Sequence, residues 1–281
     1  MDTGTIDLVA FDESHLDGAV SLSREAGWLH RREDWAMSLP LSRGFAAMLD
    51  GRVVGTAMLT PFGDDCATIN MVIVAAALRG RGLGRRLMNA VIAAAGAREC
   101  RLVATPEGMP LYETLGFRAS HAINQHQADL GAPPDAQPQN GVVWASEADA
   151  PAIAALDRAA HGIDRTALTH RLAEVGRLAV LREGDRLAGY GALRSFGRGE
   201  LVGPVISQTQ DQARALIDFL AAARSGTVLR IDTPATSGLS PWLAGRGLPQ
   251  VGDGVAMRRG STSAPPAGPA RPFALASQAL G

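Results

Sequence analysis

The chain has 281 residues, enough for two domains of ordinary size, and its 46% apolar and 20% charged residues allow proper cores. A formal net charge of −1 at pH 7 excludes a dedicated nucleic-acid binder, which would be basic. No apolar run approaches the roughly 20 residues of a membrane span, and the opening Met-Asp-Thr-Gly-Thr-Ile-Asp has neither the basic start nor the apolar core of a signal peptide. The expectation is a cytoplasmic protein without membrane or nucleic-acid partners. Cys66 and Cys100 match no metal spacing and read as reduced thiols, so no metal is expected.

Residues 5 to 11 alternate weakly and predict a first strand. Asp12 or Ser14 caps a helix running to about Arg24. Gly44 to Leu49 and Arg52 to Leu59, joined by Asp50-Gly51, predict a tight hairpin. Ala67 to Val74 is an apolar, β-branched run, the mark of a buried strand. It leads into Arg79 to Gly84, which is glycine-dense and basic. From Arg85 onward, Leu87, Met88, Val91, Ile92 and Ala95 recur at helical spacing. Arg98 to Thr105 predicts another strand. Pro110 opens a short helix, Gly116 ends it, and Phe117 starts the next strand.

Residues 131 to 141 are Pro/Gly/Asn-rich and predict a linker. After it the pattern begins again. Trp144 to Ala160 repeats a strand end, a cap and a helix, and Leu178 to Leu193 repeats the hairpin. Pro241 to Leu248 echoes Pro110 to Phe117. From hairpin glycine to later glycine there are 61 residues in the first half (Gly55 to Gly116) and 58 in the second (Gly189 to Gly247), which implies an internal duplication. The second copy lacks the arginine–glycine loop. Residues 201 to 213 stand there instead, with Pro204 and no later glycine, and Trp242 takes the position of Tyr112. Arg230 and Asp232 flank one strand position and are candidate functional residues. Residues 260 to 272 are Ser/Pro/Ala/Gly-rich. The last nine turn apolar again and are expected to return as a strand or plug.

The junction at residues 71 to 95 reads as strand, glycine loop, helix. Such a junction aims unpaired N–H groups and the positive end of a helix dipole at one point, where anions bind. Gly80, Gly82 and Gly84 let a pyrophosphate approach the backbone. The spacing is neither G-x-G-x-x-G nor G-x-x-x-x-G-K-[ST]. Arg79-x-x-Gly82-x-Gly84 resembles the pyrophosphate-binding loop of the GNAT superfamily of acetyl-CoA-dependent N-acetyltransferases. Some 25 residues on, Tyr112-Glu113-Thr114-Leu115-Gly116-Phe117 resembles the Tyr-x-x-x-Gly-Phe segment of the same superfamily. With the duplication, the whole chain resembles the tandem type, in which a degenerate GNAT-like domain follows an N-terminal GNAT domain.

That resemblance implies an α/β (α+β) fold with two GNAT-like domains, each a mixed, mostly antiparallel twisted sheet flanked by helices. The catalytic domain would span 1–130, the linker 131–141, the degenerate domain 142–260 and the tail 261–281. It implies acetyl-CoA as donor and a primary amine, on a small molecule, as acceptor. Backbone groups of Val72 and Val74 would pair with pantetheine, and an N–H near Ile73 would polarise the thioester. Arg79, Gly80, Arg81, Gly82, Leu83, Gly84 and Arg85 would hold the pyrophosphate. Tyr112 is the candidate acid for the leaving thiolate, since a phenol is protonated at neutral pH. Trp28, His30 and Trp35, after the first helix, and Asn70, on the central strand, are candidates for acceptor contact. The base stays open among Glu25, His30, Asp65, His121 and an ordered water. A rival reading is a non-catalytic acyl-CoA sensor with a protein partner. The chain is expected to be a monomer or homodimer, because the second domain can cover within one chain the surface that dimers cover.

Overall fold

A computed structural model describes residues 5–131, 141–260 and 268–281. Most of the expected linker and part of the Ser/Pro-rich stretch after residue 260 lie outside the described residues. The first copy runs β1 (Asp7–Ala10), α1 (Leu16–Glu25), α2 (Arg32–Ser38), β2 (Arg43–Leu49), β3 (Arg52–Phe62), β4 (Cys66–Val74), α3 (Leu83–Ala95), β5 (Glu99–Ala104), α4 (Met109–Thr114) and β6 (Arg118–Asp129). The second runs β7 (Val142–Trp144), α5 (Ala150–His161), α6 (Thr166–Val175), β8 (Gly176–Glu183), β9 (Arg186–Phe196), β10 (Gly199–Ser207), α7 (Gln210–Ala222), β11 (Val228–Pro234), α8 (Ser240–Gly245) and β12 (Gln250–Arg259). A last strand, β13 (Arg271–Ala274), follows.

Local signals account for the boundaries. Asp12 accepts from the Ser14 N–H and starts the turn that leads into α1. Asp50 and Gly51 both take positive φ, 50° and 72°, as a two-residue turn between right-twisted strands demands. Gly116, at φ 86°, stops α4 where Phe117 turns into the core.

All the strands join one 13-stranded sheet, in the order β1-β2-β3-β4-β5-β12-β6-β11-β10-β9-β8-β7, with β13 added on β10. Among the described residues only β4–β5 and β10–β11 are parallel; the sheet is mixed and mostly antiparallel. Copies consecutive in sequence interlock in space. β12, from the second copy, bonds to β5 and β6 of the first, while β6 bonds to β11 of the second. The crossed pair β12–β6 lies at the centre of the sheet. The halves also grip each other elsewhere in matching fashion. The Phe196-Gly197 turn lies on His30 and Asp34 of the first copy, with the Gly197 N–H donating to Asp34 at 3.0 Å. The Phe62-Gly63 turn lies under Arg165 and Asp164 of the second.

Each copy packs its long helix on one sheet face. Leu83, Leu87, Met88 and Val91 of α3 meet Leu59, Ile69 and Leu102. Ala213, Leu216, Ile217 and Leu220 of α7 meet Leu193, Val202 and Leu229. On the opposite face α1 and α2 cover Met58, Met71 and Ile73. A further cluster joins both copies, with Met37, Phe62 and Cys66 against Ile163, Leu168 and Leu172. Cys66 and Cys100 are buried free thiols, and burial pushes the Cys66 thiol up to about 11, so neither is a reactive thiolate at neutral pH.

Candidate active site

The site forms where two parallel strands part. β4 and β5 pair only through Cys66–Thr68 and Glu99–Arg101. Beyond Thr68 they splay. A bulge in β4 sets the geometry there. Its register against β3 shifts between Thr56 and Met58, Met71 takes φ 50°, and the Thr56 hydroxyl donates to the Met71 carbonyl at 2.7 Å. The extra residue reverses the side-chain phase: Ala67 and Ile69 face α3 before it, Val72 and Val74 after it. The Ala75 N–H donates to the Val54 carbonyl at 2.9 Å. Counting back in alternation, Ile73 turns its backbone to β3, and Val72 and Val74 turn theirs into the splay. The N–H groups of Val72 and Val74 and the Val72 carbonyl are therefore turned toward a pairing partner, while the Val74 carbonyl accepts from Arg79 at 3.2 Å. Ile73 differs from expectation: its side chain is buried under α1 and α2 and its N–H belongs to the β3 ladder. The N–H available at the mouth is that of Val72.

β4 ends in a loop whose donors are bare. Among the described residues no acceptor meets the N–H groups of Gly80, Arg81, Gly82, Leu83, Gly84 and Arg85. A helix leaves its first N–H groups without intrahelical partners; here no side chain caps them. Gly80 and Gly82 take φ 75° and 80°, and a Cβ on either would meet nothing within 4 Å, so the space over the loop is open. Gly84 differs, because its Cβ would press Leu111 at 3.3 Å. That contact and the Arg85–Thr114 hydrogen bond at 2.9 Å bring α4 against the start of α3. Arg79 donates to the Val74 carbonyl at 3.2 Å, while Arg81 is exposed and extends the positive field.

Tyr112, on α4, is buried against Phe117 and the α3 core. Burial pushes its phenol up to about 12. Among the described residues its hydroxyl has no hydrogen-bond partner, so it is a protonated donor facing no acceptor of its own chain.

The acceptor-side candidates separate. Asn70 is 5% exposed on the face of β4 opposite α3. Its Nδ2 donates to Thr60 Oγ1 at 2.9 Å, and its Oδ1 has no partner. Trp28 stacks edge-on with His30 at 5.6 Å and packs on the α1 core. Trp35 is core, donating from its indole to Ser23 at 3.1 Å. His30 lies between the copies, against Phe196, and with Trp28 and Gly197 it lines an open pocket of about 710 Å³. Burial brings its imidazole down to about 4, so it is neutral at pH 7. Of the other base candidates, Glu25 accepts the Ala76 N–H at 2.6 Å. Asp65 sits before β4, at the closed end of the splay. His121 lies on β6 beside Ser120. Arg230 and Asp232 form an ion pair at 2.9 Å that helps build the same inter-copy layer.

Two family models match the chain: the acetyltransferase (GNAT) family over residues 9–117 and the acetyltransferase (GNAT) domain over residues 153–268. The chain belongs to the GNAT acetyltransferases. A Bacillus subtilis (strain 168) relative, the uncharacterised N-acetyltransferase YitH, is 29% identical over 234 residues, 82% of each chain. A structure assigned to the acetyltransferases, from Pyrococcus horikoshii, matches with a TM-score of 0.81 at 20% identity, over 100% of this chain and 97% of that one. A tandem GNAT protein from the clavulanic acid biosynthesis pathway matches with a TM-score of 0.60 at 19% identity, over 92% of this chain and 100% of that one. This chain is thus a tandem GNAT protein in sequence and in fold.

The second GNAT copy keeps the splay and lacks the bare N–H loop. β10 and β11 pair only at Glu200–Leu201 with Leu229–Arg230, and β10 also breaks register, between Val202 and Val205. Gly55 pairs with Val74 and its counterpart Gly189 with Ser207, so Val205–Ser207 stand where Val72–Val74 stand in the first copy. The start of α7 is capped by its own chain. Thr209 accepts the Gln212 N–H, and Gln212 Oε1 accepts the N–H groups of Gln208 and Thr209 at 2.9 and 3.1 Å. The opening of the splay is filled by the tail. β13 pairs with Val205, Ile206 and Ser207, and the Leu275 N–H donates to the Asp232 carbonyl of β11 at 2.8 Å. The expected apolar return of the last residues is this strand. Its landing place was not legible, although the repeated Phe-Gly turns at 62–63 and 196–197 did carry a sequence signal for the inter-copy grip.

Proposed function

We propose that the first copy transfers an acetyl group from acetyl-CoA to a primary amine of a small molecule. The observation that carries this is the run of six unpartnered N–H groups, Gly80 to Arg85, at the start of α3 and directly after a splayed strand. That array suits a pyrophosphate, by charge and by hydrogen bonding. The backbone groups of Val72 and Val74 suit the amides of a pantetheine arm, and they lead from the loop to the mouth of the splay.

In the reaction, the neutral amine nitrogen attacks the thioester carbonyl carbon. The Val72 N–H stabilises the charge that grows on the carbonyl oxygen. The C–S bond then breaks as the amide forms. Tyr112, protonated at neutral pH, supplies a proton to the leaving sulfur. The ammonium proton leaves through ordered water: Glu25 is held by the Ala76 N–H and Asp65 lies at the closed end of the splay. Holding amine and thioester together contributes much of the acceleration. The test is thiol release from acetyl-CoA with a panel of primary amines. Release that depends on the amine supports the reading. A chain that binds acetyl-CoA but acetylates nothing would instead be a sensor.

A further inference from the structure

We propose that the tip of the C-terminal segment, Gln278 and Ala279, forms a wall of the first copy's acceptor site and selects the amine by size and polarity. This rests on the acetyl-transfer reading above. The segment begins as β13 in the second copy's splay, where Phe273 is fully buried. It then crosses to the first copy in a tight turn, in which the Leu280 and Gly281 N–H groups donate to the Ser277 carbonyl at 3.2 and 3.0 Å. Arg194 donates to the Ala276 carbonyl at 3.2 Å and Arg165 to the Gly281 carbonyl at 3.0 Å, so the turn is held on both sides.

The turn spans the two limbs of the catalytic splay on the face away from α3. On the β4 limb, Ala279 packs into the cluster of Trp35, Met71 and Ile73, and Ala276 and Leu280 pack with Cys66 and Phe62. On the β5 limb, a Cβ at Gly254 would lie 2.6 Å from Val103, 3.3 Å from the Ala104 carbonyl and 3.5 Å from Gln278 Oε1. Gln278 therefore stands over the end of β5, while Ala279 stands over the bulge of β4. Asn70, next to that bulge, carries a buried Oδ1 with no partner, on the same face. The Gln278 amide reaches Gln125 Oε1 and Asp232 Oδ1, each at 3.4 Å. An amine entering from this face meets the Asn70 and Gln278 carboxamides and the Ala279 methyl group, with the Asp232 carboxylate behind Gln278 already paired to Arg230. Compact amines bearing hydrogen-bonding groups match such a wall. Both tip residues remain half-buried, so their side chains stay within reach of a bound amine.

The experiment compares wild type, Gln278→Ala and Ala279→Trp for acetyl transfer to ethanolamine, propylamine, glucosamine and tryptamine, with acetyl-CoA affinity measured alongside. Acetyl-CoA Kd is expected to stay within about twofold in both variants. Ala279→Trp is expected to lower kcat/KM for the largest accepted amine at least tenfold relative to the smallest. Gln278→Ala is expected to cut the preference for ethanolamine over propylamine at least fivefold. Variants that bind acetyl-CoA normally and keep the wild-type order of amines overturn the proposal. If Ala279→Trp fails to fold, Gln278→Ala, which only removes side-chain atoms, decides alone. A wild type that binds acetyl-CoA and acetylates no amine is a different result: it overturns the acetyl-transfer reading and this wall with it.

Discussion

Replacing Gly82 separates what the loop does for the fold from what it does for the donor. Gly82 takes φ 80° at the N-cap of α3, and a Cβ there would meet nothing within 4 Å. Gly82→Asn and Gly82→Asp therefore carry the same backbone cost, about 1 kcal/mol for residues that tolerate the left-handed region. In a chain of this size that lowers Tm by about 2–4 °C. Only Asp adds a charge where the pyrophosphate would sit. Two like charges about 4 Å apart repel by ~1 kcal/mol in water and ~4 kcal/mol at an effective dielectric of 20. The loop is exposed and the pyrophosphate carries two charges, so about 3 kcal/mol is a fair middle value. At 1.4 kcal/mol per tenfold, acetyl-CoA should bind Gly82→Asp roughly 100-fold more weakly than Gly82→Asn. Calorimetric titration of both variants, with Tm as the control, reads this directly. Equal affinity for Asp and Asn would refute the assignment of the bare N–H groups to the pyrophosphate.

Tyr112→Phe should lower kcat by about 10²-fold and leave acetyl-CoA affinity nearly unchanged. Because burial holds the phenol at about 12, wild-type kcat should show no basic limb from Tyr112 below about pH 10, which a pH–rate profile checks. Acetyl-CoA should bind with a stoichiometry of one per chain, because β13 occupies the second splay and α7 caps itself; two sites by calorimetry would contradict this. His30 is neutral in the fold, its value of about 4 lying below the ordinary 6.5. The unfolded chain therefore binds more protons between these values. Stability from this group is complete above about pH 6.5 and is lost as pH falls toward 4, by about 3 kcal/mol. Urea unfolding of His30→Gln should show a shallower pH dependence in that window than wild type, and identical slopes would refute the burial argument. Using the wild-type difference matters because burial also lowers His121 and His161.

The elements and the glycine loop before α3 were legible because their signals are local. Asp50-Gly51 must turn, Gly82 takes a left-handed φ that glycine adopts freely, and the apolar spacing from Leu87 to Ala95 must bury one helical face. These are constraints within a few residues, and the duplication repeats them at nearly constant spacing. The bulge at Met71 was not legible, since no glycine marks it. By reversing one strand's phase it turns the Ile73 backbone to β3 and the Val72 backbone into the splay. The exchange of β6 and β12 was equally hidden, since either strand satisfies the same alternation in its own copy or in the other. Long-range pairing among similar strands depends on which edges meet in the folded chain, and no local pattern encodes that choice. For the same reason an apolar tail such as Phe273 to Leu280 announces that it must pack, while the tertiary structure alone decided that it packs into the second splay and reaches β4 of the first copy.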